Sequence, residues 1–370
     1  MFHRSWLEID TKAFASNLEN IRRIVAPADV LAVLKADAYG LGATALAKTA
    51  ISAGVARIGV ATAAEALELV PLGFPLQTMS AVFPEELPDL VGAGIDIPLA
   101  DLAMAKEIDA AAARAGRHAR VHIKLDTGMG RLGLLPNDIA QIPSLRHDCP
   151  NIDFVGIFTH FPLSTEHEPD FCRRQISDVK DAIDFLGKSG IKLRWHHVAN
   201  SDAICHLPEA AQPPFNLVRA GITMHGLCDM GETRPAWVRD VVSFRCRIVS
   251  VRTLPAGHSV GYSATYGTKR PTRIGTLAAG YADGLPLALS NSFHVLVGGV
   301  RCPIVGRISM DYTTIDLTDA PDAKQGDVAT LFGADGNETI SPNEWAAIKK
   351  THPYDIICSI TPRVPRIHLF

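Results

Sequence analysis

Hydrophobic and polar positions follow two textures along this chain, and the change falls near residue 235. In the first texture, short apolar runs recur near residues 30–34, 57–61, 76–80, 96–99, 119–125, 152–158, 192–198 and 215–220. Between them lie segments of helical composition, such as 43–53, 61–72 and the alanine-rich 101–115. Eight strands, each followed by a helix or a gap of helix length, predict an α/β fold of the (β/α)8 TIM-type barrel. A doubly wound open sheet ranks below it, because no Gly-x-Gly-x-x-Gly follows the first run and polar candidates recur at many strand exits. Upstream, Trp6-Leu7-Glu8-Ile9 alternates like a short strand, and Asp10 or Thr11 can cap a helix showing Phe14, Leu18, Ile21 and Val25 on one face. After residue 235, apolar stretches at 241–251, 274–279, 293–297, 302–317 and 328–332 are broken by Gly, Pro and Asp, with one helix predicted near 342–350. That is the pattern of a mainly β domain. The expected division is a barrel over 10–235 and a mainly β domain over 236–370, the latter joined by the N-terminal strand 1–9.

With 370 residues, 47% hydrophobic and 20% charged, the chain can bury a large core, and two compact units fit its length. A net charge of -3 gives no general electrostatic reason to bind nucleic acid or an anionic membrane. The start, Met1 to Asp10, lacks the long apolar core of a signal peptide, and no uninterrupted apolar run is long enough to span a bilayer. A cytoplasmic protein is expected. Cys149, Cys172, Cys205, Cys228, Cys246, Cys302 and Cys358 are scattered singly with no Cys-x-x-Cys pair, which points to reduced thiols and away from a disulfide framework or structural zinc.

Candidate chemistry gathers at the strand exits, where a barrel places its active site. Lys35 leaves the first run, Val30-Leu31-Ala32-Val33-Leu34, as either a strand-end residue reaching water or an amine held out of water for chemistry. An amine of lowered pKa is what imine formation needs, with a carbonyl substrate or with pyridoxal phosphate. Gly40 and Gly42 permit a tight turn, and Tyr39 sits where a hydroxyl could meet a phosphate. Lys124 comes late in the fifth run, Arg131 follows in a glycine-rich turn, His160 is at the sixth exit and His197 at the seventh, with Arg219, Gly221 and Ile222 at the eighth. A lone histidine on an apolar strand is more often a satisfied core residue, and an arginine in such a loop is usually solvated. Convergence of all of them on one rim changes that balance. The loops after strands seven and eight, which barrels often use for phosphate, carry Asn200-Ser201 and Gly221-Ile222.

The run Lys35-Ala-Asp-Ala-Tyr-Gly-Leu-Gly42 resembles the cofactor-lysine motif of the alanine racemases. Gly257-His-Ser-Val-Gly-Tyr-Ser-Ala-Thr-Tyr266 resembles that family's catalytic tyrosine segment, Gly280-Tyr-Ala-Asp-Gly284 and Gly306-Arg-Ile-Ser-Met-Asp311 match two further elements, and Tyr354 to Arg366 resembles its closing signature. The resemblance runs from Trp6 to Arg366. It implies a pyridoxal phosphate-dependent enzyme interconverting L- and D-alanine, in bacteria most often to supply D-alanine for peptidoglycan, with Lys35 and Tyr262 as the two acid-base groups. It further implies that Tyr39, Ser201, Gly221, Ile222 and Tyr354 hold the phosphate, and that Arg219 faces the pyridine nitrogen with support from His197. His160 is placed beside the cofactor and the catalytic tyrosine. Arg131 and the Met310 backbone amide would receive the substrate carboxylate, Tyr281 would stand at the entrance, and Lys124 would be carbamylated. The family assembles as a head-to-tail homodimer in which Tyr262 and Met310 come from the partner subunit. Arginine does not give up its proton, so a pyridine nitrogen beside Arg219 is a restrained electron sink, which suits racemisation over transamination.

Two rivals share the barrel and the lysine: a fold-related amino-acid decarboxylase, whose acidic and cysteine elements find no match in the second domain, and a protein that only carries the cofactor, which would lack a second domain. The chain departs from the family pattern at His225 and Ser309, commonly Tyr and Cys, and at Leu41, commonly His. None of these removes a catalytic group; His225 and Ser309 bear on loop packing.

Overall fold

The computed structural model describes residues 2–163, 169–228 and 233–370. The alternating Trp6 segment forms β1 (Ser5–Asp10), and the Asp10 carboxylate accepts from the N–H groups of Lys12 and Ala13 to cap the helix Thr11–Val25. Phe14, Leu18, Ile21 and Val25 on that helix are buried, each such side chain contributing about 1.5–3 kcal/mol on transfer from water.

Eight parallel strands follow: β2 (Asp29–Val33), β3 (Arg57–Val60), β4 (Leu76–Thr78), β5 (Ile97–Leu99), β6 (Ala119–Lys124), β7 (Ile152–Phe158), β8 (Trp195–His197) and β9 (Leu217–Ala220). All eight coincide with the apolar runs of the sequence. The ladders run β4-β3-β2-β9 and β5-β6-β7-β8. They meet through a parallel bridge between Gln77 and Asp96 on one side and the Asn216 N–H to His196 carbonyl bond of 3.1 Å on the other, which closes the barrel. The sequence predicts these strands well because each is buried on both faces and so reads as a continuous apolar run.

The rest of the chain is built on β10 (Val242–Leu254), which pairs antiparallel with β1, with the strand Thr272–Leu277 and with the strand Val328–Asp335. The strand Arg366–Leu369 lies parallel to β1, so both ends of the described chain enter the same sheet. The apolar stretch over 302–317, expected to be broken by Gly, Pro and Asp, divides between two strands, Val300–Pro303 and Thr313–Asp316, because Gly306 to Asp311 leaves the ladder as a loop. A second short helix, Pro353–Cys358, follows Pro342–Lys349 and was not legible in the pattern. One hydrophobic core runs through barrel and sheet. Among the described residues no helix is long and apolar enough to cross a membrane, and no cysteine is in a disulfide.

Candidate active site

The loops that leave the C-terminal ends of the barrel strands enclose a cavity of about 320 Å³, a size that accommodates a cofactor. Lys35 enters it from the exit of β2, by an unusual route. Ala36, Asp37, Ala38 and Tyr39 all have φ between 53° and 60°. Four successive left-handed residues with side chains cost on the order of 1–2 kcal/mol each. Hydrogen bonds from distant elements hold the turn. Glu65 accepts from the Ala36 N–H (2.8 Å), Asp37 accepts from the Ala43 N–H (2.6 Å), and Arg366 and His368 reach the carbonyls of Gly40 and Leu41 (both 2.8 Å). The turn presents Lys35 at the cavity mouth and folds Tyr39 inward, where it is buried.

Charge in the cavity is predominantly positive. Burial and the neighbouring Arg131 lower the Lys35 amine from its usual range, and among the described residues it has no hydrogen bond or ion pair. Lys124 is pulled down to about 7, chiefly by burial and then by Arg219 and Arg131, and it lies 4.5 Å over the Phe158 ring. Burial, with Arg219 next in weight, takes His160 down to about 3, so it is neutral at physiological pH. Arg131 is set by the loop after β6, whose Asp126 carboxylate accepts from the N–H groups of Gly128 (2.9 Å), Gly130 (3.1 Å) and Arg131 (3.1 Å).

Arg219 forms the floor. Its Nη1 donates to the His197 carbonyl (2.9 Å) and to His197 Nδ1 (3.3 Å), and its Nη2 to the carbonyls of Thr159 (2.8 Å) and Val198 (2.9 Å) and to His160 Nδ1 (3.4 Å). The Nη hydrogens are thereby engaged, and Nε has no partner among the described residues, so one N–H remains for a ligand. Burial lowers Arg219 to about 9, which still leaves it charged at neutral pH.

A buried chain continues beneath it. Arg219 has only hydrogens to offer, so His197 Nδ1 must accept and His197 Nε2 carries the proton. That proton is donated to His122 Nδ1 (3.2 Å), and His122 Nε2 donates to Asp96 Oδ2 (3.0 Å). Burial alone would push the Asp96 carboxyl up; the His122 hydrogen bond and the Arg57 charge outweigh it and hold the group ionised. The Phe158 ring stacks on His197, with centroids 4.9 Å apart and planes 9° from parallel, and covers one face of the imidazole. The sequence reading found His197 and Arg219 but not His122, Asp96 or Arg57. A signal existed for one of them: His122 and Lys124 are two apart on β6 and so share its inner face.

The opposite wall is a cradle for an oxyanion. Ser201 Oγ accepts from the Gly221 N–H (2.8 Å), leaving the serine hydrogen for an anion. A Cβ on Gly221 would fall 2.8 Å from Tyr39 Oη and 3.3 Å from Ser201 Oγ, so only glycine leaves this recess open. Ile222 and Tyr354 complete the wall. His225, one of the departures from the family pattern, packs edge-on against Tyr39 at 4.8 Å, neither ring nitrogen has a hydrogen-bond partner among the described residues, and burial lowers it to about 3. Ser309, another, ties its loop by accepting from the Tyr312 N–H (3.1 Å). Leu41 is fully buried.

The remaining predicted residues stand elsewhere. Tyr262, Tyr281 and Met310 do not line the cavity of their own chain and are 70%, 42% and 52% exposed on the β-rich part. They share one face. Gly261, at φ 76°, packs so closely that a Cβ would sit 2.7 Å from the Arg307 nitrogen, and the N–H groups of Tyr281 and Ala282 bond the carbonyls of Ser309 and Met310 (both 3.0 Å). His160 faces Arg219, not Tyr262, within the chain.

The residues that line the cavity fit a phosphorylated pyridine aldehyde at both ends and in the middle: an unpaired amine, a guanidinium N–H and an oxyanion recess. Comparison with known proteins bears on the same point. Residues 9–229 match the family "Alanine racemase, N-terminal domain" and residues 241–368 the family "Alanine racemase, C-terminal domain". An alanine racemase from Methanococcus maripaludis is 36% identical, with 99% of each chain covered. Among solved structures, alanine racemase from D-cycloserine-producing Streptomyces lavendulae superposes with a TM-score of 0.92 at 32% identity, covering 100% of this chain and 98% of that one. Alanine racemase from Bartonella henselae with covalently bound pyridoxal phosphate superposes at 0.87 with 27% identity, covering 100% of both.

Proposed function

The chain belongs to the alanine racemase family, and from that premise we propose how its own residues use pyridoxal phosphate to interconvert L- and D-alanine. The observation that carries the assignment of residues is the convergence of the Lys35 amine, the free Arg219 N–H and the Tyr39–Ser201–Gly221 recess on one cavity. The rival decarboxylase and carrier readings are set aside, since a second domain of the racemase type follows the barrel. When bound, the cofactor withdraws electrons from the α-carbon of an attached amino acid and so acidifies its hydrogen.

Lys35 is the residue that would hold the aldehyde, and its amine would take or return a proton at one face of the α-carbon. Burial and Arg131 lower its pKa, which favours the neutral amine this needs. Tyr39, Ser201, Gly221, Ile222 and Tyr354 hold the phosphate. Arg219 would donate to the pyridine nitrogen, its guanidinium held in place by His197 and His160. Arg131 holds the substrate carboxylate.

The second proton carrier is Tyr262, donated with Met310 and Tyr281 by a partner subunit in a head-to-tail homodimer. Support comes from their exposure and shared face on one chain and from their absence from its cavity. On this reading the barrel is residues 10–235 and the β domain 236–370 with strand 1–9. Hybrid dimers test it. Co-expression of Lys35→Ala with Tyr262→Phe gives mixed dimers with one wholly intact site, so about a quarter of wild-type activity should return from two inactive parents. No recovery, with mixed dimers demonstrated by tag pull-down, would place both groups in one chain and remove the shared site.

Lys124 is carbamylated. The neutral amine is the form that attacks carbon dioxide, losing a proton as the N–C bond forms, and a lysine at about 7 supplies it where an ordinary one near about 10.4 does not. The resulting anion holds Arg131 and offsets the positive charge of the cavity. Native mass spectrometry at neutral pH should show the mass of one added carbon dioxide at Lys124, lost as pH falls below about 7 because the amine then protonates. Unmodified Lys124 in gently handled protein would refute it. A cytoplasmic location accords with cysteines that form no disulfide among the described residues, and the D-alanine formed would supply peptidoglycan.

A further inference from the structure

Tyr281 and Met310 stand on two separate loops, and each loop carries a carboxylate close behind its functional residue: Asp283 in one and Asp311 in the other. Arg363 lies between the two. Its Nε pairs with Asp283 Oδ1 at 3.0 Å and its Nη2 donates to Asp311 Oδ1 at 2.9 Å, so one planar guanidinium spans both loops. The ends of this bridge differ in setting. The Asp283 side chain is 3% exposed and its other oxygen accepts from the Gly280 N–H (2.8 Å), whereas Asp311 is 46% exposed. Arg363 therefore ties an outer loop to an inner, fixed one. The Met310 N–H has no partner among the described residues, which leaves it to a ligand.

The segment that carries Arg363 touches both halves of the chemistry. Arg366 donates to the carbonyls of Gly40 (2.8 Å) in the lysine turn and of Ile360 (2.7 Å), and Thr361 Oγ1 donates to the Ala282 carbonyl (2.7 Å) beside Tyr281. Place in the chain thus leaves open which site Arg363 serves. Its contacts decide: among the described residues every polar contact of Arg363 goes to Asp283 and Asp311, and none to the lysine turn.

We propose that Arg363 is a positioning residue for racemisation that acts across the dimer. By fixing the two loops to each other it holds the Met310 N–H and Tyr281 in register for the alanine bound by the partner subunit, and it leaves the cofactor site of its own chain untouched. This rests on the shared site proposed above. An exposed ion pair adds little to stability, so the bridge acts on loop register and not on the fold.

The test is steady-state kinetics of the holoenzyme. Arg363→Gln should raise KM for alanine about tenfold, the worth of one hydrogen bond to a charged group, with kcat, cofactor content and melting temperature close to wild type. Arg363→Lys keeps the charge but cannot reach both carboxylates as a fork, and should share the raised KM. Asp311→Ala, which cuts only the exposed end, should raise KM as well and puts no strain on folding. Wild-type KM in Arg363→Gln and Asp311→Ala, or in Arg363→Lys, overturns the bridge.

Mixed dimers isolated with two tags identify the site served. In a dimer of Lys35→Ala with Arg363→Gln, the one working site takes its loops from the Lys35→Ala chain, so KM should return to wild type. In a dimer of Tyr262→Phe with Arg363→Gln, the one working site takes its loops from the Arg363→Gln chain, so the raised KM should persist. The reverse pattern would put Arg363 in the service of its own barrel and overturn the proposal while the shared site stands. An inactive mixed dimer of Lys35→Ala with Tyr262→Phe would overturn the shared site itself, and the proposal with it.

Discussion

Lys35→Ala should abolish covalent retention of pyridoxal phosphate and lower alanine racemisation by at least about 10³–10⁴-fold, since one group is both the anchor and a proton carrier. After borohydride treatment the wild-type chain should carry the cofactor's mass on Lys35, and the variant should carry none. The left-handed turn from Ala36 to Tyr39 is held by Glu65, Arg366 and His368, not by the lysine side chain, so the fold and the phosphate recess should survive the change. Added methylamine should then restore part of the activity by supplying the missing base from solution. Wild-type turnover in the variant would mean that the Lys35 amine does not touch the reacting carbon, and with it the whole assignment of the cavity would fall.

Tyr262→Phe should lower turnover from L-alanine by about 10²–10⁴-fold, the usual worth of a positioned proton carrier, while leaving the cofactor attached and Lys35 reactive. In deuterated water this variant should still place deuterium at the α-carbon of D-alanine without inverting it, because Lys35 alone continues to exchange its own face. A merely structural tyrosine would lose both reactions together or neither. Tyr262 is 70% exposed on its own chain, so the substitution removes no core contact and a change in melting temperature is not expected.

The legible part of this fold is the part written in local pattern. Strands such as Val30 to Leu34 are buried on both faces, and a continuous apolar run at strand length has few other solutions. Lys35, Lys124, His160, His197 and Arg219 could be nominated because each interrupts or ends such a run, and a closed barrel brings all strand exits to one rim. The left-handed turn escaped notice because Ala-Asp-Ala-Tyr has no local preference for positive φ; its stability comes from residues 65, 366 and 368. The helix carrying Tyr354 was equally silent, being short and begun by a proline.

By its sequence alone this protein was determined to be a barrel of eight strands with a β-rich companion, furnished with a lysine, a tyrosine and an arginine in segments that resemble one enzyme family. Only the tertiary structure decided that Arg219 spends its Nη hydrogens on protein acceptors and keeps one N–H for a ligand, that a buried line of histidines ties it to Asp96, and that Tyr262 stands away from the cavity of its own chain. The reason is one of range. Hydrophobic period acts between residues a few positions apart and survives in a linear string, whereas hydrogen-bond direction and burial depend on atoms that the chain brings together from opposite ends.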